Sequence, residues 1–91
     1  MKETIALMNT MRQRLGWDKT DTLKSLIGYL NEEVAELTAE VYADSINFEY
    51  VEAELADVLI VVLGLLDDLG LDGHTIVKKK MEKIIKKYEQ T

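Results

Sequence analysis

Residues 54–66 read ELADVLIVVLGLL. Val58 to Leu63, with Leu65 and Leu66, place apolar side chains on every side of a helix. A helix of that kind is surrounded by protein. The nearly apolar run from Ala56 to Leu66 contains Asp57 and is far shorter than the ~20 residues that span a bilayer. It therefore belongs in a helical core. Proline is absent from all 91 residues, and Ala, Leu, Glu, Lys and Met, all helix formers, dominate. The fold class is all-α. A chain of this length makes one domain, 1–91, whose own packing covers only part of such a helix. A second subunit is expected to cover the rest, the alternative being a tight monomer with one central helix.

Three more helices flank this one. Ile5, Met8, Met11 or Arg12, and Leu15 recur three to four apart, which predicts a helix from about Lys2 to Leu15, ended by Gly16. Leu26, Leu30, Val34, Leu37 and Val41 predict a second from near Thr20 to about Ala43, capped by Asp21 or Thr22. The apolar helix itself extends from about Asn47 to Leu69, before Gly70. Ile76, Met81, Ile84, Ile85 and Tyr88 mark a last helix from Asp72 or Thr75 to the C-terminus. Short connections between long helices favour antiparallel neighbours, hence a four-helix bundle.

The formal net charge is -6, unevenly spread. Residues 78–91 hold six lysines and two acids, whereas residues 1–77 hold five basic and fifteen acidic groups. An acidic body repels nucleic acid and anionic membranes at long range. Cysteine is absent, so disulfides and thiolate metal sites are excluded. No apolar stretch follows Met1 as a secretory signal would, and a cytoplasmic protein is expected.

The carboxylates do not form a solvated face. With ~100° per residue and Leu26 at zero, Glu33 falls at about -20°, inside the apolar sector. Glu36 and Glu32 line its margin. On the next helix, with Val58 at zero, Glu54 falls at about -40°, between Leu65 and Val61. Asp57 lies on a stretch with almost no polar side. An unpaired inward carboxylate costs several kcal/mol, so such groups are paired or bound to metal. The first 77 residues offer only Lys2, Arg12, Arg14, Lys19 and Lys24 as partners.

A divalent cation resolves both the burial and the mutual repulsion. Oxygen ligands favour magnesium, calcium or manganese. One histidine, His74, cannot furnish the two Glu-x-x-His pairs of a di-iron bundle, and no EF-hand loop is present. His74 reads as a surface or helix-start residue. Magnesium, with manganese as substitute, commonly completes its shell with substrate phosphates.

Glu33-x-x-Glu36, seventeen residues and then Glu54-x-x-Asp57 resemble the signature of the MazG-type nucleotide pyrophosphohydrolases. Glu32 matches the extra acid many members carry before the signature. The lead-in from Gly16-Trp17-Asp18-Lys19 to Tyr29-Leu30, and the tail Gly70-Leu71-Asp72 with its lysine-rich helix, are similar to the same family. The last helix departs from it: Lys80, Ile84 and Lys87 stand where members commonly read Lys, Asn and Arg.

The resemblance implies an all-α NTP pyrophosphatase bundle, a homodimer or homotetramer. It implies Mg2+-dependent hydrolysis of a (d)NTP to the monophosphate and pyrophosphate, in nucleotide-pool house-cleaning. Glu33, Glu36, Glu54 and Asp57 would be metal ligands, for two or more ions once nucleotide binds. Glu32, with Glu33, would serve catalysis, as a ligand or as the base orienting the attacking water. Lys19, Lys80 and Lys87 would balance phosphate charge. Trp17 would stack on the base or staple a helix, and Asn9 and Arg12 are further candidates for a base pocket. Tyr29 and Tyr88 read as packing residues.

Three rivals remain at this point. A non-enzymatic helical interaction module conflicts with the inward acids. A nucleic-acid binder conflicts with the net charge. A hydrolase of the same fold acting on dUTP or a phosphoribosyl-linked pyrophosphate fits the acids equally well.

Overall fold

The computed structural model describes residues 1–89. All its regular elements are helices: α1 (Lys2–Leu15), α2 (Trp17–Thr20), α3 (Leu23–Val41), α4 (Phe48–Asp68) and α5 (Gly73–Glu89). The all-α expectation and the four long helices are met. The single turn of α2 is additional; its four residues, Trp17–Thr20, are too few to show a period. Whether the last helix reaches the C-terminus lies outside the described residues.

Local chemistry sets the boundaries. Thr22, rather than Asp21, caps α3: its hydroxyl accepts from Ser25 N at 3.1 Å, and Ser25 Oγ accepts from Thr22 N at 2.8 Å. This reciprocal box satisfies two backbone donors at the helix start. Asn47 Oδ1 accepts from the backbone of Glu49 and Tyr50 to start α4. Asp72 accepts from Thr75 N at 3.1 Å and so begins α5. Helix α4 ends in a Schellman turn, with Leu71 N donating to Leu66 O and Gly70 N to Asp67 O. Gly70 takes φ 67° there, a left-handed conformation that only glycine adopts freely. Gly16 plays the same part after α1, with φ 76°.

Helices α3 and α4 form the main packed pair, joined by residues 42–47, and α1 lies against α4. The three helices meet at a small core of Met8, Leu26 and Leu63, with Arg12 buried among them at 6 % exposure. Gly64 lies at this junction, where a Cβ would stand 3.9 Å from Met8, Arg12 and Leu26.

Helix α5 contributes no buried residue. Its apolar positions Ile76, Met81, Ile84, Ile85 and Tyr88 are all exposed, as are Leu55 and Leu59 of α4. Within one chain, then, α4 is not enclosed on every side. No described helix is long and apolar enough to cross a membrane.

Candidate metal centre and its cavity

Facing turns of α3 and α4 bring Glu33, Glu36 and Glu54 together. One carboxylate oxygen from each lies within 4.8 Å of the others. The i, i+3 spacing places Glu33 and Glu36 on one face of α3. Glu33 and Glu54 are half-buried, and the Oε2 of each is enclosed with no hydrogen-bond partner. Burial raises the Glu33 carboxyl to about 7, helped by the close approach of the Glu54 carboxyl and the charges of Asp57, Glu36 and Glu54. Burial likewise raises Glu54, with the neighbouring acids Glu36 and Asp57 adding to it.

Buried orphan oxygens of like charge call for a cation. Three converging carboxylates supply the oxygen donors that magnesium or manganese prefers. The residues present therefore fit a divalent ion.

Asp57 is one turn beyond Glu54. It is outside the tight trio, but its charge acts on both buried acids, and with Glu33 it lines a cavity of about 510 Å³. Met11, Leu26, Ile60 and Val61 form the apolar wall of this cavity, and Gly64 leaves room in it. Trp17 and Tyr29 add aromatic faces. Tyr29, expected as a packing residue, is thus half-exposed beside the cavity. Arg12, Thr20 and Asp21 complete the lining.

Arg12 is the feature that periodicity left ambiguous. Its Nη1 and Nη2 donate to Asp68 Oδ1 and Oδ2 at 3.1 and 3.2 Å, and Nη2 lies 3.6 Å from Asp21 Oδ2. The hydrogen bond to Asp68, then the charges of Asp68, Asp21 and Asp67, raise the pKa of this guanidinium against the opposing effect of burial. Its Nε is buried without a partner. Arginine in an apolar register, with an acid at the far end of the apolar helix, is the signal that could have revealed this pair.

The remaining candidates are placed as follows. Glu32 is exposed beside the trio in sequence but is not part of it. Asn9 is half-buried and does not line the cavity. Lys19 is exposed on α2. Lys80 and Lys87 are exposed on α5, and among the described residues neither forms an ion pair with a carboxylate. The Lys87 ammonium instead lies 5.5 Å from the Tyr88 ring. Within one chain the structure does not bring these lysines to the carboxylates. His74 is exposed in the first turn of α5, as expected.

Comparison with known proteins gives the site its context. The model of the MazG nucleotide pyrophosphohydrolase domain matches residues 21–91. The chain belongs to the MazG family. Both acidic pairs lie within the matched region, whereas α1 and α2, which bring Met11, Arg12, Trp17 and Thr20 to the cavity, precede it. The MazG chain is also similar in structure to a pyrophosphatase from Archaeoglobus fulgidus DSM 4304, with a TM-score of 0.84 and 36% identity. The alignment covers 97% of this chain and 91% of that one. A search of curated proteins finds no match. This MazG chain is therefore a nucleotide pyrophosphohydrolase of the all-α fold.

Proposed function

We propose that the chain hydrolyses a nucleoside triphosphate to the monophosphate and pyrophosphate in a Mg2+-dependent reaction. The observation that carries this reading is the Glu33, Glu36 and Glu54 trio, whose buried oxygens lack partners and which adjoins a nucleoside-sized cavity. These three residues and Asp57 hold the cation, or two cations when substrate is present. A divalent ion here polarises phosphoryl oxygens and lowers the pKa of a bound water. Glu32, exposed next to the trio, orients the water that attacks phosphorus as the bond to the pyrophosphate breaks. Base and sugar enter the cavity beside Trp17. House-cleaning of the cytoplasmic nucleotide pool is the role that suits such an activity.

A second copy completes the molecule. The solvent-accessible surface is 7479 Å². A compact monomer of this mass exposes ~5,400 Å². The excess exceeds the ~800 Å² that each partner buries in a standard interface. The exposed apolar residues of α4 and α5 supply the contact. The basic α5 of one copy complements the acidic body of the other, which brings Lys80 and Lys87 towards substrate phosphates.

The test is to incubate the protein with ribo- and deoxynucleoside triphosphates and Mg2+, and to assay pyrophosphate and orthophosphate separately. Pyrophosphate with monophosphate is expected. Glu54→Gln is expected to lower the rate at least ~100-fold, the upper range for disturbing a metal site even through an outer partner. Orthophosphate as the sole product would mean that a different bond is cleaved and would reject the reading.

A further inference from the structure

We infer that the cavity selects bases bearing an exocyclic amino group, with Asp21 as the hydrogen-bond acceptor that reads it. The inference rests on the nucleoside triphosphate reading above and names the substrate class of the same site.

The two ends of the cavity differ in chemistry. Glu33 and Asp57 line one part, next to the cation ligands. Among the described residues Arg12 is the only cationic group in the lining, and Asp68 already engages both of its Nη atoms. The cavity therefore offers a triphosphate no free cation of its own. The phosphates belong at the carboxylate end, where metal ions neutralise them, and the base belongs against Trp17 and Tyr29. Aromatic faces stack on any base, so stacking alone does not discriminate.

Discrimination falls to the polar groups around the base. The Asp21 side chain is 9% exposed and lies 3.6 Å from Arg12 Nη2. Among the described residues its carboxylate accepts no hydrogen bond, because Thr22 has taken over the capping of α3. An ionised carboxylate is an acceptor only. The site thus presents unspent acceptor capacity at the cavity wall.

Cytosine and adenine each carry an exocyclic amino group that can donate to such an acceptor. Guanine offers two donors beside a carbonyl. Uracil and thymine place a carbonyl on each side of their single N–H, so a carboxylate there meets two like-charged oxygens. A buried polar group left unpaired by the wrong ligand is the strongest basis for rejecting it. Arg12 and Trp17 come from the segment before residue 21, where the family match begins. Asp21 itself is the first residue of that match, so base selection on this reading joins the N-terminal helices to the start of the matched region.

Trp17 is the only tryptophan, so its fluorescence reports on the cavity without any turnover. Cytidine and uridine 5′-monophosphates are titrated in Mg2+ with excitation at 295 nm, into wild type and Asp21→Asn. Wild type is expected to bind the cytidine nucleotide at least tenfold more tightly. Asparagine can both donate and accept, and is expected to reduce the gap to below twofold. Arg12 keeps both bonds to Asp68 in that variant, and a melting curve checks its fold. Should it not fold, the wild-type cytidine-to-uridine ratio decides alone. Equal binding of the two nucleotides by wild type, or a gap that persists in Asp21→Asn, overturns the proposal. Absence of pyrophosphate release from any triphosphate, with the tenfold binding gap intact, would reject the hydrolytic reading and leave the base selectivity standing.

Discussion

Glu33 holds its proton in the folded, metal-free protein up to a pH of about 7, whereas an ordinary glutamate releases it near 4.5. Between those values folding takes up a proton, so stability falls as pH rises. Above 7 both states are ionised and the full destabilisation is present. Metal-free protein is therefore expected to melt several degrees higher at pH 5 than at pH 7.5. Mg2+ replaces the proton as counter-charge, so its stabilising effect grows over the same window. Glu33→Gln removes most of the slope. Melting followed by circular dichroism, in chelator and then in Mg2+, checks this; a metal-free melting temperature that rises from pH 5 to 7.5 would contradict it. Arg12 belongs to the same scale. Removing one partner of a buried pair costs ~3–5 kcal/mol. Asp68 keeps 29% of its side-chain exposure, which places Arg12→Ala near ~3 kcal/mol, the low end of that range. Denaturant unfolding measures it, and Arg12→Lys recovers only part because lysine cannot form the two-pronged contact.

The elements explain which of these residues the sequence could disclose. A buried acid betrays itself by helical phase: Glu33 and Glu54 fall in apolar sectors, and their Oε2 atoms are enclosed. Arg12 has the same phase relation to Met8, but its partners are nine and 56 residues away, and no period links them. Helix α2 is a single turn, so Trp17 could be placed only by the fold. Gly64 offers an element-scale test. Mid-helix glycine costs ~1 kcal/mol relative to alanine. A Cβ at Gly64 meets neighbours at an ordinary 3.9 Å, so packing does not demand glycine. The free space instead belongs to the cavity. Gly64→Ala is expected to raise the melting temperature by a few degrees. It is also expected to raise KM for triphosphates several-fold while leaving kcat within a factor of two. An unchanged KM would show that substrate does not reach α4 at this depth.

At the scale of the molecule, one chain leaves much apolar surface uncovered. The radius of gyration is 15.8 Å, with extents of 49 × 40 × 25 Å. A compact chain of this length has ~12 Å. Helix α5 carries an apolar face and contributes no buried residue. The sequence showed that face clearly, and it showed that α4 is apolar all round. It could not show that the two needs are unmet within one chain, because periodicity gives a face and not its partner. A single exposed leucine means little, whereas many exposed apolar residues on two helices suit an interface. Ile84 and Ile85 are 46% and 52% exposed, and Leu59 on α4 is 45% exposed. Light scattering after size exclusion is expected to give a multiple of the 10.4 kDa chain mass. Ile84→Lys with Leu59→Lys is expected to yield the single-chain mass and to remove the dependence of melting temperature on protein concentration. If Lys80 and Lys87 act across the interface, the same double variant loses triphosphate affinity although its carboxylates are intact. A wild-type monomer with full activity would show instead that α5 is free and that its lysines play no part in binding phosphate.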